Sequence, residues 1–277
     1  MRSSKNPQVQ ELILARPIVT LTTDFGTGDY FVGAMKGVIL TVNPDIEIVD
    51  ITHNVLPHDV LDGALTIGQA YKYYPPKTIH VVVVDPGVGS TRRPLLVAGD
   101  QHYFVGPDNG VFSSVYDESE SVHVWNVISE HYFRQPVSNT FHGRDIFAPV
   151  AAWLTKSWQP SAFGEAITDF VRFAMPKPKV NGNTVKGVVL RVDRFGNLIT
   201  NLTPAEVPAL AAADGKFTIK AGNAQITKVV PTFSLAAPGE AVGVIGSTGC
   251  LEIAMNKGNA SKTLGASRGA EVTIELA

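Results

Sequence analysis

The sequence has a single cysteine, almost no excess of charge and no long apolar run. Cys250 stands alone in 277 residues, which excludes a disulfide framework and a cysteine-based metal cage. The formal net charge of −2 gives no basic surface of the kind that binds nucleic acid. The apolar patch near the amino terminus is too short for a secretory signal, and no later segment reaches transmembrane length. We therefore expect a cytoplasmic protein without nucleic-acid or membrane partners.

The chain contains enough apolar sequence for two folded domains. Apolar residues make up 44% and charged residues 17%, so a sizeable core is expected and wholesale disorder is not. The sequence shows no internal repeat and no low-complexity segment. Its texture changes near Ala174, where the segment 175–184 is rich in proline, lysine and asparagine. We predict a domain over residues 1–174, a linker over 175–184 and a second domain over 185–277.

The first of these domains alternates strand and helix patterns. Residues 79–84 form an unbroken apolar run, which is typical of a parallel strand covered on both faces. Asp29 is predicted to cap the first helix, which ends before Asn43, and a later helix is expected to begin near Arg144. The pattern predicts an α/β domain with a mostly parallel central sheet. Strands are predicted at 17–23, 46–51 and 79–84, with helices at 29–42, 61–73 and 144–155.

The second domain is predicted to be smaller, β-rich and barrel-like. It contains short apolar runs separated by turn residues, and only Pro204 to Ala213 has a helical pattern. Strands are predicted at 185–193, 197–202, 215–221, 241–246, 250–255 and 271–276.

Two aspartates follow predicted strands of the α/β domain. Asp24 comes after 17–23 and Asp85 after 79–84. Ligands of open α/β sheets collect at the carboxyl ends of the strands, although an aspartate before a turn can also serve only as a cap. A buried Asp85 needs a partner, which Arg92 or Arg93 can supply.

Histidines form two further clusters. The segment FHGRDIF (141–147) places His142 beside a glycine and an Arg-Asp pair at a predicted helix start, which is consistent with either a functional or a structural role. In ITHNVLPHDV, His53, His58 and Asp59 do not match a metal-binding spacing, so we interpret them as structural. The Asp-Phe-Gly and His-x-Arg-Asp pieces occur in the wrong order for a protein kinase.

Motifs along nearly the whole chain resemble those of one family, the S-adenosyl-L-methionine hydroxide adenosyltransferases, which are related to fluorinating and chlorinating enzymes. The resemblance lies in the order and spacing of these segments: TLTTDFGTGDYFVGAMKG, THNVLPHDV, VVVVDPGVGSTRR, VGPDNGVFS, TFHGRDIFAPVAA, VDRFGNLITN and IGSTGCLEIAMNKGNA.

The resemblance implies a role for each matching residue. It implies a catalytic trio of Asp85, Arg92 and His142, and it implies that Asp24 grips the ribose hydroxyls. The methionine amino group and the adenine are expected at the turn 193–197, and the methionine carboxylate near Ser247. His58 and Thr248 replace a tryptophan and an arginine of the halogenating relatives. The implied substrate-binding residues are Asp24, His58, Asp193, Phe195, Asn197, Ser247 and Met255.

The implied reaction is attack of water on C5′ of S-adenosyl-L-methionine, which yields adenosine and methionine without a metal or cofactor. A halogenase is the first alternative, but the halogenating relatives carry a tyrosine at the position of Asp85 and the fluorinating enzyme a threonine at that of Val88. A binding-only nucleoside sensor is the second, although binding alone would not require the trio. The resemblance also implies a homotrimer, with each site between the first domain of one subunit and the second domain of the next.

Overall fold

The computed structural model describes residues 16–212 and 216–277 and divides the chain into two compact units. The first unit ends at Phe173 and the second begins at Ala174. The short apolar patch considered as a signal sequence lies outside the described residues. Of the helices that the structure describes, none combines the length and apolar character needed to cross a membrane.

The first unit is an α/β layer structure built on a seven-stranded sheet. The strand order is β2-β1-β3-β5-β4-β6-β7, and the first four strands in this order pair in parallel, whereas the last three join by antiparallel pairing. The α/β class is therefore confirmed. The strands are β1 (Ile18–Thr23), β2 (Glu47–Thr52), β3 (Ile79–Val83), β4 (Pro94–Gly99), β5 (His102–Pro107), β6 (Val122–Val127) and β7 (Gly164–Ile167). The helices are α1 (Phe31–Val42), α2 (Val60–Ala70), α3 (Ser113–Glu118) and α4 (Ala148–Leu154).

Both faces of the sheet are covered, as the run of valines in β3 requires. Val81 and Val83 belong to the core with α1 and α4, whereas Val82 belongs to the core with α2 and α3. This two-residue alternation is the normal pleat of a strand buried on both sides. His80 is the one polar residue of this strand, and it is also fully buried.

The connection between β3 and β4 carries two residues of the predicted trio. The two strands are not neighbours, since β5 lies between them, and they run in opposite directions. The segment 84–93 therefore leaves β3 at its carboxyl end and returns to the same edge of the sheet, where β4 begins. Asp85 and Arg92 lie near the two ends of this loop.

The structure corrects the expected start of α1. Asp29 does not cap this helix: its N-cap is Tyr30, and no side-chain hydrogen bond closes that end. The helix expected near Arg144 is present, and it opens with a π-helical turn, Gly143–Phe147, that leads directly into α4. Such turns are uncommon and occur frequently at functional sites.

The second unit is a nearly closed antiparallel sheet, which confirms the barrel-like prediction. Its order is β12-β11-β15-β9-β10-β14-β13, with β8 paired to β9. After β12 the chain bridges to β13 through Val229 and Gly243, which brings the two ends of the sheet together. The strands are β8 (Lys179–Asn181), β9 (Thr184–Val192), β10 (Leu198–Thr200), β11 (Phe217–Ala221), β12 (Ala224–Ile226), β13 (Ala241–Ile245), β14 (Leu251–Met255) and β15 (Glu271–Leu276).

Three local features of the second unit differ from expectation. The helix predicted at Pro204 to Ala213 is reduced to one 3₁₀ turn, Pro208–Leu210, and Ala213 itself lies outside the described residues. A five-residue helix, α5 (Ala260–Leu264), was not predicted; Asn259 caps it by accepting a hydrogen bond from the Lys262 amide at 2.8 Å. The segment predicted as a linker contains β8, so part of it belongs to the sheet.

Candidate active site

Asp24 and Asp85 lie at the same edge of the sheet in the first unit. β1 and β3 are adjacent and parallel, with Thr23 paired to Val83, so the residues that follow these strands emerge together. The sequence predicted this position for both carboxylates from the strand pattern alone.

Asp85, Arg92 and His142 form one hydrogen-bonded cluster. Arg92 Nε donates to Asp85 Oδ1 at 2.9 Å, and Arg92 Nη2 donates to Asp85 Oδ2. The same Nη2 lies 2.7 Å from Nδ1 of His142. The side chains of Asp85 and Arg92 are only 4% and 8% exposed, so this fork-shaped ion pair is largely screened from water.

The contact with Arg92 fixes the protonation of His142. A guanidinium can only donate, so Nδ1 must accept and the ring proton must lie on Nε2. Burial lowers the pKa of His142, and the positive charge of Arg92 lowers it further, while Asp85 opposes both. His142 is therefore a neutral imidazole that presents an N–H from its far nitrogen.

Arg92 has one donor group to spare. Its guanidinium carbon lies 5.3 Å from the centre of the Phe147 ring, in the π-helical turn that follows His142. Within the described residues, the buried Nη1 atom has no hydrogen-bond partner. A buried, unpaired donor beside an ion pair is costly unless something accepts from it. Nη1 is therefore the atom of this cluster best suited to hold an oxygen ligand.

Arg93 has a different task from its neighbour. It donates to Asp108 Oδ2 at 2.8 Å from Nε and to Asp169 Oδ1 at 2.8 Å from Nη1. Asp108 also accepts from the Val171 amide. Of the two arginines considered from sequence as partners of Asp85, Arg92 is the one that pairs with it. Arg93 instead links Asp108 to Asp169, near the carboxyl end of the first unit.

The first and last residues of the His-Gly-Arg-Asp segment make different contacts. His142 joins Arg92, whereas the Asp145 side chain is fully buried and accepts from Arg144 Nε at 2.7 Å and Nη2 at 2.8 Å. Burial acts to raise the pKa of Asp145, but the bonds from Arg144 and the Ser138 amide outweigh it and leave that pKa lowered. Asp145 is thus a buried anion that is stabilised by hydrogen bonds from neighbouring residues.

Asp24 is already in use as a backbone acceptor. Its Oδ2 accepts from the His58 amide at 2.8 Å, and His58 adopts a left-handed backbone with φ of +64°. His58 is exposed and lies close to Asp24 through its main chain. The other histidine of that segment, His53, is buried with Nδ1 2.9 Å from Thr23 Oγ1, and Asp59 caps α2 through the Asp62 amide, as a structural interpretation predicts.

In the second unit, the turn 193–197 is organised by one aspartate. Asp193 Oδ1 accepts from the amides of Phe195 and Asn197, and Oδ2 accepts from the Asn197 side chain at 2.8 Å. Asn197 is buried, whereas Phe195 is 75% exposed. The tight turn needs Gly196 at φ of +89°, since a Cβ there would lie 2.2 Å from the Asn259 side chain.

Ser247 and Met255 lie before and at the end of β14, respectively. Ser247 is exposed in the turn between β13 and β14, and Met255 closes β14. Between them lies Glu252, which sequence reasoning passed over. Burial and then the charge of Asp193 raise its pKa, and a Cβ on Gly246 would lie 1.9 Å from its Oε1. A charged residue inside an otherwise apolar strand pattern was the signal that could have identified it.

Comparison with known proteins identifies the family. The family model described as the SAM hydroxide adenosyltransferase N-terminal domain matches residues 19–164, and the model of the corresponding C-terminal domain matches residues 187–273. The chain belongs to the SAM hydroxide adenosyltransferase family.

Individual relatives agree with this assignment over nearly their full length. An (R)-S-adenosyl-L-methionine hydrolase from Salinispora tropica is 35% identical over 267 residues, covering 93% of this chain and 97% of the relative. A fluorinase from an Actinoplanes species is 27% identical, covering 94% and 98%. The crystal structure of an uncharacterised conserved protein from Thermotoga maritima has a TM-score of 0.86 at 36% identity, covering 93% of this chain and 99% of that one.

The site residues inferred from the family resemblance remain predictions, and the structure adds contacts among several of them. It brings Asp85, Arg92 and His142 together, and it brings Asp24 together with the His58 backbone. In the second unit it joins Asp193, Phe195 and Asn197 in one turn.

Proposed function

We propose that this protein hydrolyses S-adenosyl-L-methionine to adenosine and L-methionine by attack of water on C5′. The proposal is supported by membership of the hydroxide adenosyltransferase family and by the named activity of relatives such as the Salinispora hydrolase. The observation that carries it is the buried cluster in which Arg92 contacts both Asp85 and His142.

The chemistry requires activation of the nucleophile. The sulfonium of the substrate departs as a neutral thioether, so the leaving group needs no acid. Bulk water is a weak nucleophile because its pKa is about 15.7. Formation of adenosine from water releases one proton, which must pass to a base and then to solvent. The site therefore has to combine a proton acceptor with a donor that stabilises the developing hydroxide.

The three side chains divide these tasks. Arg92 Nη1 has N–H groups without a described acceptor and is placed to stabilise an oxygen anion. Each oxygen of Asp85 accepts one bond from Arg92 and keeps a further lone pair, so Asp85 can still accept a proton from water. His142 accepts from Arg92, so it orients the guanidinium, and its Nε2–H can donate to the nucleophile.

The product oxygen provides the decisive test. In ¹⁸O-labelled water, the purified protein is expected to place the label on the 5′ hydroxyl of adenosine, as mass spectrometry of the nucleoside would reveal. Unlabelled adenosine would contradict direct attack by water. Separate incubations with the two sulfonium epimers would test whether this chain shares the (R) preference in the names of its relatives.

Substitution of the trio tests the assigned roles. Asp85→Asn and Arg92→Met should each lower kcat by about 10²- to 10³-fold with little change in KM, because their contacts are to the nucleophile rather than to the substrate. Asp24→Ala is the contrasting variant and should mainly raise KM. Near-normal turnover by Asp85→Asn would contradict the proposed activation of water.

Halide transfer is the second candidate, favoured by the similarity to a fluorinase. A halide ion needs neutral donors, and the buried carboxylate of Asp85 would repel it. Incubation with chloride or fluoride is expected to yield no 5′-halo nucleoside. Detection of one by liquid chromatography would favour this alternative.

For assembly, we propose a cytoplasmic homotrimer with shared sites, as the family resemblance implies. Mixing the inactive variants Asp85→Asn and Asn197→Ala should restore part of the activity once subunits exchange, because some sites then contain neither change. A fully active monomer in sedimentation, or exchange without recovery, would contradict the shared site. Localisation of a tagged chain by cell fractionation tests the compartment.

A further inference from the structure

Beyond the trio, the first unit contains a buried anion, Asp145, that binds residues both before and after His142 in the chain. Asp145 lies three residues after His142, inside the π-helical turn Gly143–Phe147, and its side chain is fully buried. Besides Arg144, it accepts from the Ser138 amide at 2.9 Å and from Arg134 Nη1 at 3.3 Å. Its carbonyl oxygen also accepts from the Arg134 amide at 2.9 Å.

These bonds fasten the segment 134–138 to the turn that follows His142. Both ends of the segment are held, since Arg134 is bound through its main chain and side chain and Ser138 through its amide. The next residue, Asn139, is exposed and lies between Ser138, whose amide Asp145 binds, and the buried Phe141, whose carbonyl oxygen accepts from the Asp145 amide. Asp145 therefore holds the chain on both sides of residue 139.

Asn139 in turn packs against the loop that carries the rest of the trio. Gly89 stands midway between Asp85 and Arg92, and a Cβ at this glycine would lie 2.2 Å from the Asn139 carbonyl oxygen. Gly89 also has a φ of +77°, a conformation in which a side chain is strained. The two backbones are thus in direct contact, and this contact requires glycine.

We propose that Asp145 is a positioning residue for the trio, holding residues 134–139 against Gly89 so that Arg92 meets Nδ1 of His142. The functional importance of this contact rests on the proposed function, but the geometric claim does not. Residues that orient the ligands of a metal typically contribute about 10- to 100-fold to affinity or activity, and we expect an effect of similar size from a residue that orients the trio. Loss of Asp145 should leave the Asp85–Arg92 ion pair intact but free the loop 85–93, which carries that pair, to move relative to His142.

The tautomer of His142 reports on this geometry without any substrate. In the wild-type protein, selective ¹⁵N labelling should show the proton on Nε2 and a pKa below the usual range of histidine, with the signal assigned from His142→Gln. In Asp145→Asn, we expect a mixture of tautomers and a pKa that moves upward towards its ordinary value. The direct electrostatic effect of removing a negative charge has the opposite sign, because Asp145 acts to raise the pKa of His142.

Asp62→Asn is the control, because Asp62 in α2 is also a buried carboxylate of the first unit that accepts from a backbone amide, that of Leu56, and it binds no residue of the loop 85–93 in this bond. This variant should leave the His142 spectrum unchanged. Equal changes in both variants would indicate general loosening and would overturn the proposal, as would a folded Asp145→Asn protein with the wild-type tautomer and titration. If Asp145→Asn does not fold, Arg134→Met removes one donor from an exposed side chain; a smaller shift in the same direction supports the proposal, and no shift refutes it.

Kinetics then connect the geometry with turnover. We expect Asp145→Asn to lower kcat by about 10- to 100-fold with KM unchanged. Gly89→Ala should cause a similar loss, and the double variant should lose less than the product of the two, because both changes act through the same contact. Full multiplicativity would show that the two residues act separately. If the wild-type protein fails to hydrolyse S-adenosyl-L-methionine, the spectroscopic comparison still decides the positioning role.

Discussion

Acidification is expected to destabilise the first unit through His80, which is fully buried in β3. Its Nδ1 lies 2.7 Å from Thr20 Oγ1, and its Nε2 lies 3.3 Å from Nδ1 of His102. The ring stacks on Phe104 with centroids 5.1 Å apart, and the rings of Tyr71 and Tyr74 close the site. None of the residues named in these contacts carries a negative charge.

Burial, followed by the neighbouring His102, lowers the pKa of His80 from 6.5 to about 3. Protonation therefore favours the unfolded chain, in which the imidazole has its ordinary pKa. The contribution of His80 to stability is complete above about pH 6.5 and falls by about 1.4 kcal/mol per pH unit as the pH decreases towards 3. Between about pH 7 and pH 5 the expected loss is roughly 2 kcal/mol.

Urea unfolding of the wild-type protein and of His80→Gln, followed by circular dichroism at both pH values, measures this contribution. Glutamine does not titrate, so the variant should lose about 2 kcal/mol less than the wild type over the same interval. Titrating groups that do not contact His80, including Asp145, are common to both proteins and cancel in the difference. His102 does contact His80, so the same comparison in a His102→Gln background isolates the contribution of His80. An identical pH dependence in the two proteins would show that His80 is not held neutral by burial, and the reasoning would fail.

Two further predictions concern single backbone positions. Gly246→Ala should displace the Glu252 side chain, because the new Cβ would lie 1.9 Å from its Oε1; since this is the flexible end of that side chain, the fall in melting temperature should be small, and the double variant with Glu252→Ala should show no further fall relative to Glu252→Ala alone. His58→Gly should raise stability by about 1 kcal/mol by relieving its left-handed backbone, provided that the amide still donates to Asp24; a lower melting temperature would contradict this.

The features that followed from sequence are those that depend on local pattern. The apolar run 79–84 predicted a strand covered on both faces, and the cores on either side of Val82 confirm it. The same pattern placed Asp24 and Asp85 at one edge, because parallel neighbouring strands end together. The local pattern was sufficient here because both features follow from the burial and the direction of single strands.

The features that were missed depend on partners far along the chain. Asp29 has the right residue type for a cap, but the helix begins one residue later without a side-chain bond. His80 gives no periodic signal, since it occupies an apolar position and finds its partners Thr20 and His102 on neighbouring strands. The residue pattern alone also left open whether Arg92 or Arg93 is the partner of Asp85, because two adjacent arginines differ only in the direction that the folded loop gives them; the family resemblance pointed to Arg92, which does pair with it.

The path of the segment 84–93 also affects how this chemistry can be exchanged between relatives. Asp85 and Arg92 lie near opposite ends of one connection, yet both ends return to the same edge of the sheet and the two side chains bind each other. Two of the three groups are therefore encoded in a single short stretch of DNA, and one recombination event can transfer both. His142 lies on a separate segment. A transferred loop can therefore form the same contacts only in a recipient that already has that histidine and a backbone segment that packs against Gly89.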